Sequence, residues 1–230
     1  MEPLKVLFQD EYYVAIHKPH GLMVHKSRIA RDATEFALQR LRNQLDQHVF
    51  PCHRLDRKTS GILLFALSKE ANSLMSAAFH ERKVSKHYKA IVRGFTEDKA
   101  TIDYGLTSES GIKQDAVTHY KTLKRYEINL PSGKHSTSRY SLIAVTPETG
   151  RMHQIRKHMA HIFHPILGDR PHGCNKQNKL WKEKFGMTTM MLHASNLSFT
   201  HPLKGEDIHI ICHHGGEMES VIARLEHMQV

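Results

Sequence analysis

"HRLDRKTSGILLFAL", residues 53–67, joins two stretches of different character. The first is charged: Asp56 lies between Arg54 and Arg57 and is followed by Lys58-Thr59-Ser60. The second is an apolar run with Gly61 before it and Ser68 after it, short enough to be a buried strand. Asp56 therefore stands on the loop that enters a buried strand. A catalytic carboxylate needs a pocket, a setting that fixes its ionisation and an orienting partner. The flanking arginines favour the ionised form. An Asx-type turn, in which the carboxylate accepts backbone N–H groups, fits the same residues.

Upstream, "VLFQDEYYVAIHKP" predicts strands at Val6–Phe8 and Tyr13–His17, with a turn at residues 18–21 containing Pro19 and Gly21. Asp32-Ala33-Thr34 can cap a helix running to about Leu45. Downstream, Ser68 caps a helix whose Ala71, Leu74, Met75, Ala78 and Phe79 recur at helical spacing. In "KHYKAIVRG", 86–94, Tyr88, Ala90 and Val92 alternate with Lys89, Ile91 and Arg93. Strand-like stretches follow at 101–104, 115–128 and 137–146. In "GRMHQIRKHMAHIF", 150–163, Met152, Ile155, Met159 and Ile162 share one helical face. A lysine-rich stretch with Trp181, two strands at 189–199 and 207–212 and a short helix complete the chain. No repeat or linker divides it. The expectation is one α+β domain, 1–230, with a mostly antiparallel sheet.

The bulk numbers narrow the partners. The chain has 230 residues, enough for a sizeable core, with 40% hydrophobic and 24% charged residues. Lys plus Arg is 33 against 23 acids, a net charge of +10, with 20 histidines besides. Such a surface favours polyanions. No apolar stretch approaches the roughly 18–20 residues of a membrane span, and the start lacks the pattern of a signal peptide. A cytoplasmic protein is expected. No basic helix carries an aromatic apolar face, which favours nucleic acid over anionic membrane. A merely soluble basic protein stays open. The cysteines are Cys52, Cys174 and Cys212; an odd count with no CxxC supports neither a disulfide framework nor a cysteine zinc site.

Other stretches carry chemistry of their own. Tyr88, with Lys86, Lys89 and Arg93 around it, has the aromatic and basic mixture that holds a nucleotide. A core tyrosine beside a solvated basic face fits equally. Arg156 lies about 80° from the centre of its helix's apolar stripe, at the rim, where it can reach a carboxylate; it can also be one more surface cation. His153, His158, His161 and His164 invite a metal reading, but HExxH is missing and no acid stands within that helix. GxxxxGK[ST] and GxGxxG are also missing.

Together these stretches resemble the RluA-type pseudouridine synthases. "HRLDRKTSG" (53–61) resembles the signature containing that family's catalytic aspartate, and "KPHGLMVH" (18–25) its KPxGxxxH turn. "KHYKAIVRG" is similar to the strand with its active-site tyrosine. "TGRMHQIRKHMAHIFHPILGD" (149–169) resembles its GRxHQIRxHxxxxxxPIxGD segment, and "MLHASNLSFTHP" (191–202) its LHA…HP ending. The matches run in family order over nearly the whole chain.

The resemblance implies the pseudouridine synthase fold, an α+β, mostly antiparallel mixed sheet with flanking helices and a central RNA-binding cleft. It implies isomerisation of a uridine in structured RNA to pseudouridine, without cofactor or metal. Asp56 would attack the uridine, Tyr88 stack on the base and assist loss of the C5 proton, and Arg156 orient Asp56. Arg54 would fill the gap left by the flipped nucleotide. Arg57 and Lys58 would meet phosphate, and Lys86, Arg151 and His153 belong to the expected RNA-binding set. "DQHVFPCHRLDRKTSG" (46–61) and "DAVTHYKTL" (115–123) resemble small members without the appended S4-type RNA-binding domain. Those act on tRNA in the acceptor/T-stem region, implying position 65 and a monomer. An rRNA substrate, a non-catalytic RNA-binding protein of the same fold and a metal-dependent hydrolase are the alternatives. Substrate choice is assigned to 170–188, a stretch without a readable signal.

Overall fold

The computed structural model describes residues 2–26, 34–132 and 134–230. In chain order the elements are β1 (Val6–Gln9), β2 (Tyr13–Lys18), α1 (Ala37–Leu45), β3 (Phe50–Pro51), β4 (Ser60–Ala66), α2 (Lys69–His80) and β5 (Ser85–Arg93). Then come β6 (Lys99–Asp103), β7 (Leu106–Thr107), β8 (Lys113–Gln114), β9 (Val117–Ile128), β10 (Ser138–Pro147) and α3 (Gln154–His161). The last are α4 (Asn175–Phe185), β11 (Leu192–Thr200), β12 (Asp207–Ile211) and α5 (Glu217–His227). The class is α+β, and the sheet pairing is mostly antiparallel. No described helix is long and apolar enough to cross a membrane. The chain divides into two units, residues 1–86 with 194–213, and residues 87–193 with 214–230.

In the first unit the strand order is β1-β2-β4-β11, with β12 on β11 and β3 on β4. Residues Gly61–Ala66 of β4 are buried without interruption. A strand covered on both faces loses alternation and reads as a continuous apolar run. Ile62, Leu64 and Ala66 join Ala71 and Met75 of α2 and Leu197 and Phe199 of β11 in one core. Leu63 and Phe65 point the other way and are equally buried. Gly61 permits this packing. Its φ is +113°, and a Cβ there would lie 2.2 Å from the carbonyl oxygen of Ala194. The glycine of "TSG" and the alanine of "LHA" are thus two sides of one close backbone approach.

In the second unit β5-β10-β9-β6 form an antiparallel sheet. Its core collects Ala90, Val92, Ile143 and Val145 with Ile155 and Met159 of α3, Trp181 of α4 and Val221 and Leu225 of α5. Trp181 donates Nε1–H to the Tyr140 hydroxyl at 2.8 Å, and that hydroxyl bonds Gln177 of α4.

Several expectations shift. The strands at 6–8, 13–17, 101–104, 115–128, 137–146, 189–199 and 207–212 appear with end corrections of a few residues, and Ser68 Oγ caps α2 by accepting from Ala71 N at 3.1 Å. Leu74, expected on the buried face of α2, is exposed at 37%. The Asp32-Ala33 cap lies outside the described residues; α1 itself begins at Ala37, after an extended Phe36. The alternation in β5 is interrupted where Ala90, Ile91 and Val92 are all buried, because apolar groups pack on both sides. The lysine-rich stretch is the helix α4, ended by a left-handed Gly186.

Gly61→Ala is expected to cost at least about 3 kcal/mol, through strain and a backbone clash that no side-chain movement relieves. Gly21→Ala, at a φ of +86° but with nothing within 4 Å of the added carbon, is expected to cost only about 1–2 kcal/mol. Urea unfolding midpoints of the two variants check this difference.

Candidate active site

The sequence candidates divide between the units. Arg54, Asp56, Arg57, Lys58 and Lys86 belong to the first; Tyr88, Arg151, His153 and Arg156 belong to the second.

In the first unit Asp56 is half-buried, with Arg54 and Arg57 exposed on either side. Leu55 is buried and anchors the loop between them. The carbonyl of Asp56 accepts from Thr59 N at 3.0 Å, closing a turn through the main chain. The 18–21 turn is tied to this loop. Gly21 N donates to the Arg57 carbonyl at 2.8 Å, and Arg57 Nε donates to the Gly21 carbonyl at 3.1 Å. Lys18 completes the tie. It ends β2 directly opposite Gly61 of β4 and is fully buried. Its Nζ donates to the carbonyls of Leu22 (2.8 Å), Pro19 (2.9 Å) and Arg57 (3.2 Å). Burial pulls Lys18 down to about 7, while the charge of Asp56 pulls it back up. A buried ammonium thus sits in the field of the candidate carboxylate.

His53 lies on the same loop but has a structural task. Its Nε2 accepts from Leu64 N at 3.1 Å, and its ring lies 5.1 Å from that of Phe79. Burial pushes its pKa down to about 4. Lys86 is also lowered by burial. His201 of the "HP" ending accepts on Nδ1 from Leu203 N and Lys204 N and faces Asp10 across 3.0 Å.

In the second unit Arg156 is not a rim cation: it is 4% exposed. Its Nε and Nη2 donate to the two oxygens of Asp169 at 2.7 and 2.8 Å, a bidentate pair that fixes the guanidinium plane. Asp169 is fully buried. Asn178 of α4 steadies it from behind, donating to the Asp169 carbonyl at 2.6 Å and accepting from Gly168 N at 2.8 Å. Gln154 pins the start of α3: Oε1 accepts from Thr149 Oγ1 (2.6 Å) and Arg151 N (3.0 Å), and Nε2 donates to Val117 O and Thr118 Oγ1 (2.9 Å each). Arg151 Nε donates to the Asp115 carbonyl at 3.0 Å.

Tyr88 is half-buried on β5, opposite Val145 of β10. Lys89 pairs with Ala144, so it points to the face of the sheet opposite Tyr88. The histidines of α3 diverge. His158 is buried, with Nε2 2.9 Å from the Tyr104 carbonyl; His161 stacks on the Tyr104 ring at 3.7 Å; His164 Nδ1 meets the Arg93 carbonyl at 2.9 Å. His153 Nδ1 lies 3.0 Å from His172 Nε2, within hydrogen-bond distance.

Sequence reasoning missed four structural partners. Lys18, Gln154 and Asp169 stand inside the motifs "KPHG", "HQIR" and "PILGD", so their signal was present but unassigned. Asn178 lies in the unread stretch and had none.

Asp169→Ala removes the bidentate carboxylate of the buried Arg156 and is expected to cost about 3–5 kcal/mol in chemical unfolding. A second expectation concerns acid. The folded pKa of His53 lies below its unfolded value, so the unfolded chain takes up the proton first. Stability is full above about 6.5 and falls as pH drops toward about 4. Unfolding curves at pH 7 and 4.5 of the wild type and His53→Gln check it, the variant losing less between the two.

A family profile described as RNA pseudouridylate synthase matches residues 12–161. tRNA pseudouridine synthase C of Vibrio parahaemolyticus serotype O3:K6 (strain RIMD 2210633) is 46% identical over 216 residues, covering 89% of this chain and 88% of that protein. The protein of the same name from Haemophilus ducreyi (strain 35000HP / ATCC 700724) is 49% identical over 209 residues, 86% of each chain. Among solved structures, human RNA pseudouridylate synthase domain containing 1 superposes with a TM-score of 0.72 at 21% identity, covering 98% of both chains. Human RNA pseudouridylate synthase domain containing 4 gives 0.73 at 24%, covering 96% of this chain and 93% of that one. These two likenesses are of fold. The chain belongs to the RNA pseudouridylate synthase family.

Proposed function

We propose that this protein converts one uridine of tRNA to pseudouridine, at position 65 in the acceptor/T-stem region, with Asp56 as the nucleophile. The observation that carries the reading is the setting of Asp56: a half-buried carboxylate on a loop locked to the 18–21 turn, in the field of the buried Lys18 ammonium. Binding RNA needs cations and gains nothing from an acid, so the acid has another use. The relatives named tRNA pseudouridine synthase C support tRNA over rRNA as substrate.

The reaction is an isomerisation and gains or loses no atoms overall. Asp56 attacks the uridine at C1′ or C6, and the N1–C1′ bond breaks. The base turns and rejoins through C5, and the C5 proton leaves to solvent as N1 regains one. Tyr88 is assigned to stacking on the base and assisting that proton's removal, and Arg156 to orienting the carboxylate. A uridine in a stem must first leave the stack, at a cost of a few kcal/mol; Arg54, exposed beside the nucleophile, is assigned to the gap. Arg57, Lys58, Lys86, Arg151 and His153 are assigned to RNA contacts. The working form is a cytoplasmic monomer, and no step calls on a cofactor or a metal.

Asp56→Asn tests the assignment with tRNA carrying 5-tritiated uridine. The variant is expected to bind tRNA within about threefold of wild type and to release no tritium above background. Release at the wild-type rate would sink the nucleophile, and release from neither protein would sink the enzyme reading.

A further inference from the structure

The sheet of the second unit carries a row of cations that the proposed chemistry does not use. Lys99 of β6 pairs with Lys121 of β9, Lys121 with Ala144 of β10, and Ala144 with Lys89 of β5. Residues directly paired across strands point to one face. Three lysines therefore share one face and one row, with a single small residue among them. At about 4.8 Å between strands the row is about 15 Å long. Tyr88 is one residue out of step with this row, on the opposite face.

The next row on the same face is polar. Thr101 pairs with His119, and His119 with Thr146. Thr101 Oγ1 lies 2.8 Å from His119 Nδ1, and Thr146 Oγ1 lies 3.0 Å from His87 Nδ1. The surface is thus three ammoniums backed by hydroxyls and imidazoles.

Its energetics are unusual for a surface at rest. Like charges directly opposite on neighbouring strands destabilise a sheet, yet Lys99 and Lys121 face each other. Among the described residues, none of the three lysines has an ion pair or side-chain hydrogen bond. Cations elsewhere on β9 and β10 do have partners. Lys124 meets Glu226 at 2.8 Å, Arg125 meets Asp98 at 2.7 Å and Arg139 meets Glu127 at 3.2 Å. The carboxylate beside the polar row, Glu148, is engaged by His119 at 2.7 Å.

We propose that this row is a second RNA-contact surface, taking the phosphodiester backbone of the bound RNA on the face of the sheet opposite Tyr88. The chemistry selects phosphate: ammoniums are point charges without base-edge specificity, and phosphate contacts position rather than specify. It also selects RNA over a lipid surface, because no large apolar side chain stands in either row to enter a bilayer. The proposal takes from the proposed function only that the partner is RNA.

The test is equilibrium binding of unfractionated tRNA by the full-length protein at several salt concentrations. It needs no turnover, so it is independent of whether pseudouridine forms, which the tritium assay decides separately. In Lys89→Ala/Lys99→Ala/Lys121→Ala the slope of log K against log salt is expected to become shallower by about two to three, with affinity down at least about tenfold near 0.1 M salt. A control with the same change in net charge, Lys83→Ala/Lys124→Ala/Lys204→Ala, removes lysines that already have carboxylate partners; it is expected to lose less than threefold. Unchanged affinity in the first variant, equal loss in the control, or loss of binding to phosphatidylglycerol vesicles with tRNA binding intact would each overturn the surface. Thermal melts of both variants within a few degrees of wild type confirm that the comparison is between folded proteins.

Discussion

One buried ammonium holds the candidate nucleophile's loop in place. Lys18 is fully buried and donates to three main-chain carbonyls, two in its own turn and one at Arg57. An unpaired buried charge is costly, and several hydrogen bonds to main-chain dipoles offset that cost only where the carbonyls converge. The turn and the loop must therefore keep their relative positions, and Asp56 is carried on that loop. The same constraint reaches Gly61, which pairs with Lys18 in register and packs against Ala194. Three separated motifs are in this way parts of one packed arrangement.

The second unit prepares Arg156 by comparable means. Asp169 takes the Nε–Nη2 edge of its guanidinium, and Asn178 and Gln154 fix the two backbones that present the pair. A guanidinium held in one plane loses little further freedom when it meets a substrate or a carboxylate. The polar groups around this pair are linked in one hydrogen-bonded network, which specifies a geometry rather than adding much net stability.

Much of this was legible in the sequence, for identifiable reasons. The apolar run 60–66 and the serine cap at 68 are local signals, and both elements formed where expected. Asp56 and Tyr88 were singled out by their neighbours. The burial of Arg156 was not legible because helical periodicity describes a single helix, and cover over the rim comes from the 166–169 turn and α4 packing beside it. Asp169 and Lys18 were invisible as partners because their bonds join segments far apart or end on carbonyls, which every residue has. The exposed Leu74 shows the same limit: apolar spacing marks a face but not how far its cover extends. The unread stretch 170–188 proved to be largely scaffold on its inner side, through Gln177, Asn178 and Trp181.

The central claim is that the chain forms pseudouridine in tRNA. Its most direct test incubates the purified protein with tRNA and rRNA from a strain lacking the enzyme, then maps pseudouridine at nucleotide resolution. The account predicts one new pseudouridine, at position 65 in the acceptor/T-stem region of a subset of tRNAs. New sites only in rRNA, or none in either RNA, would contradict it.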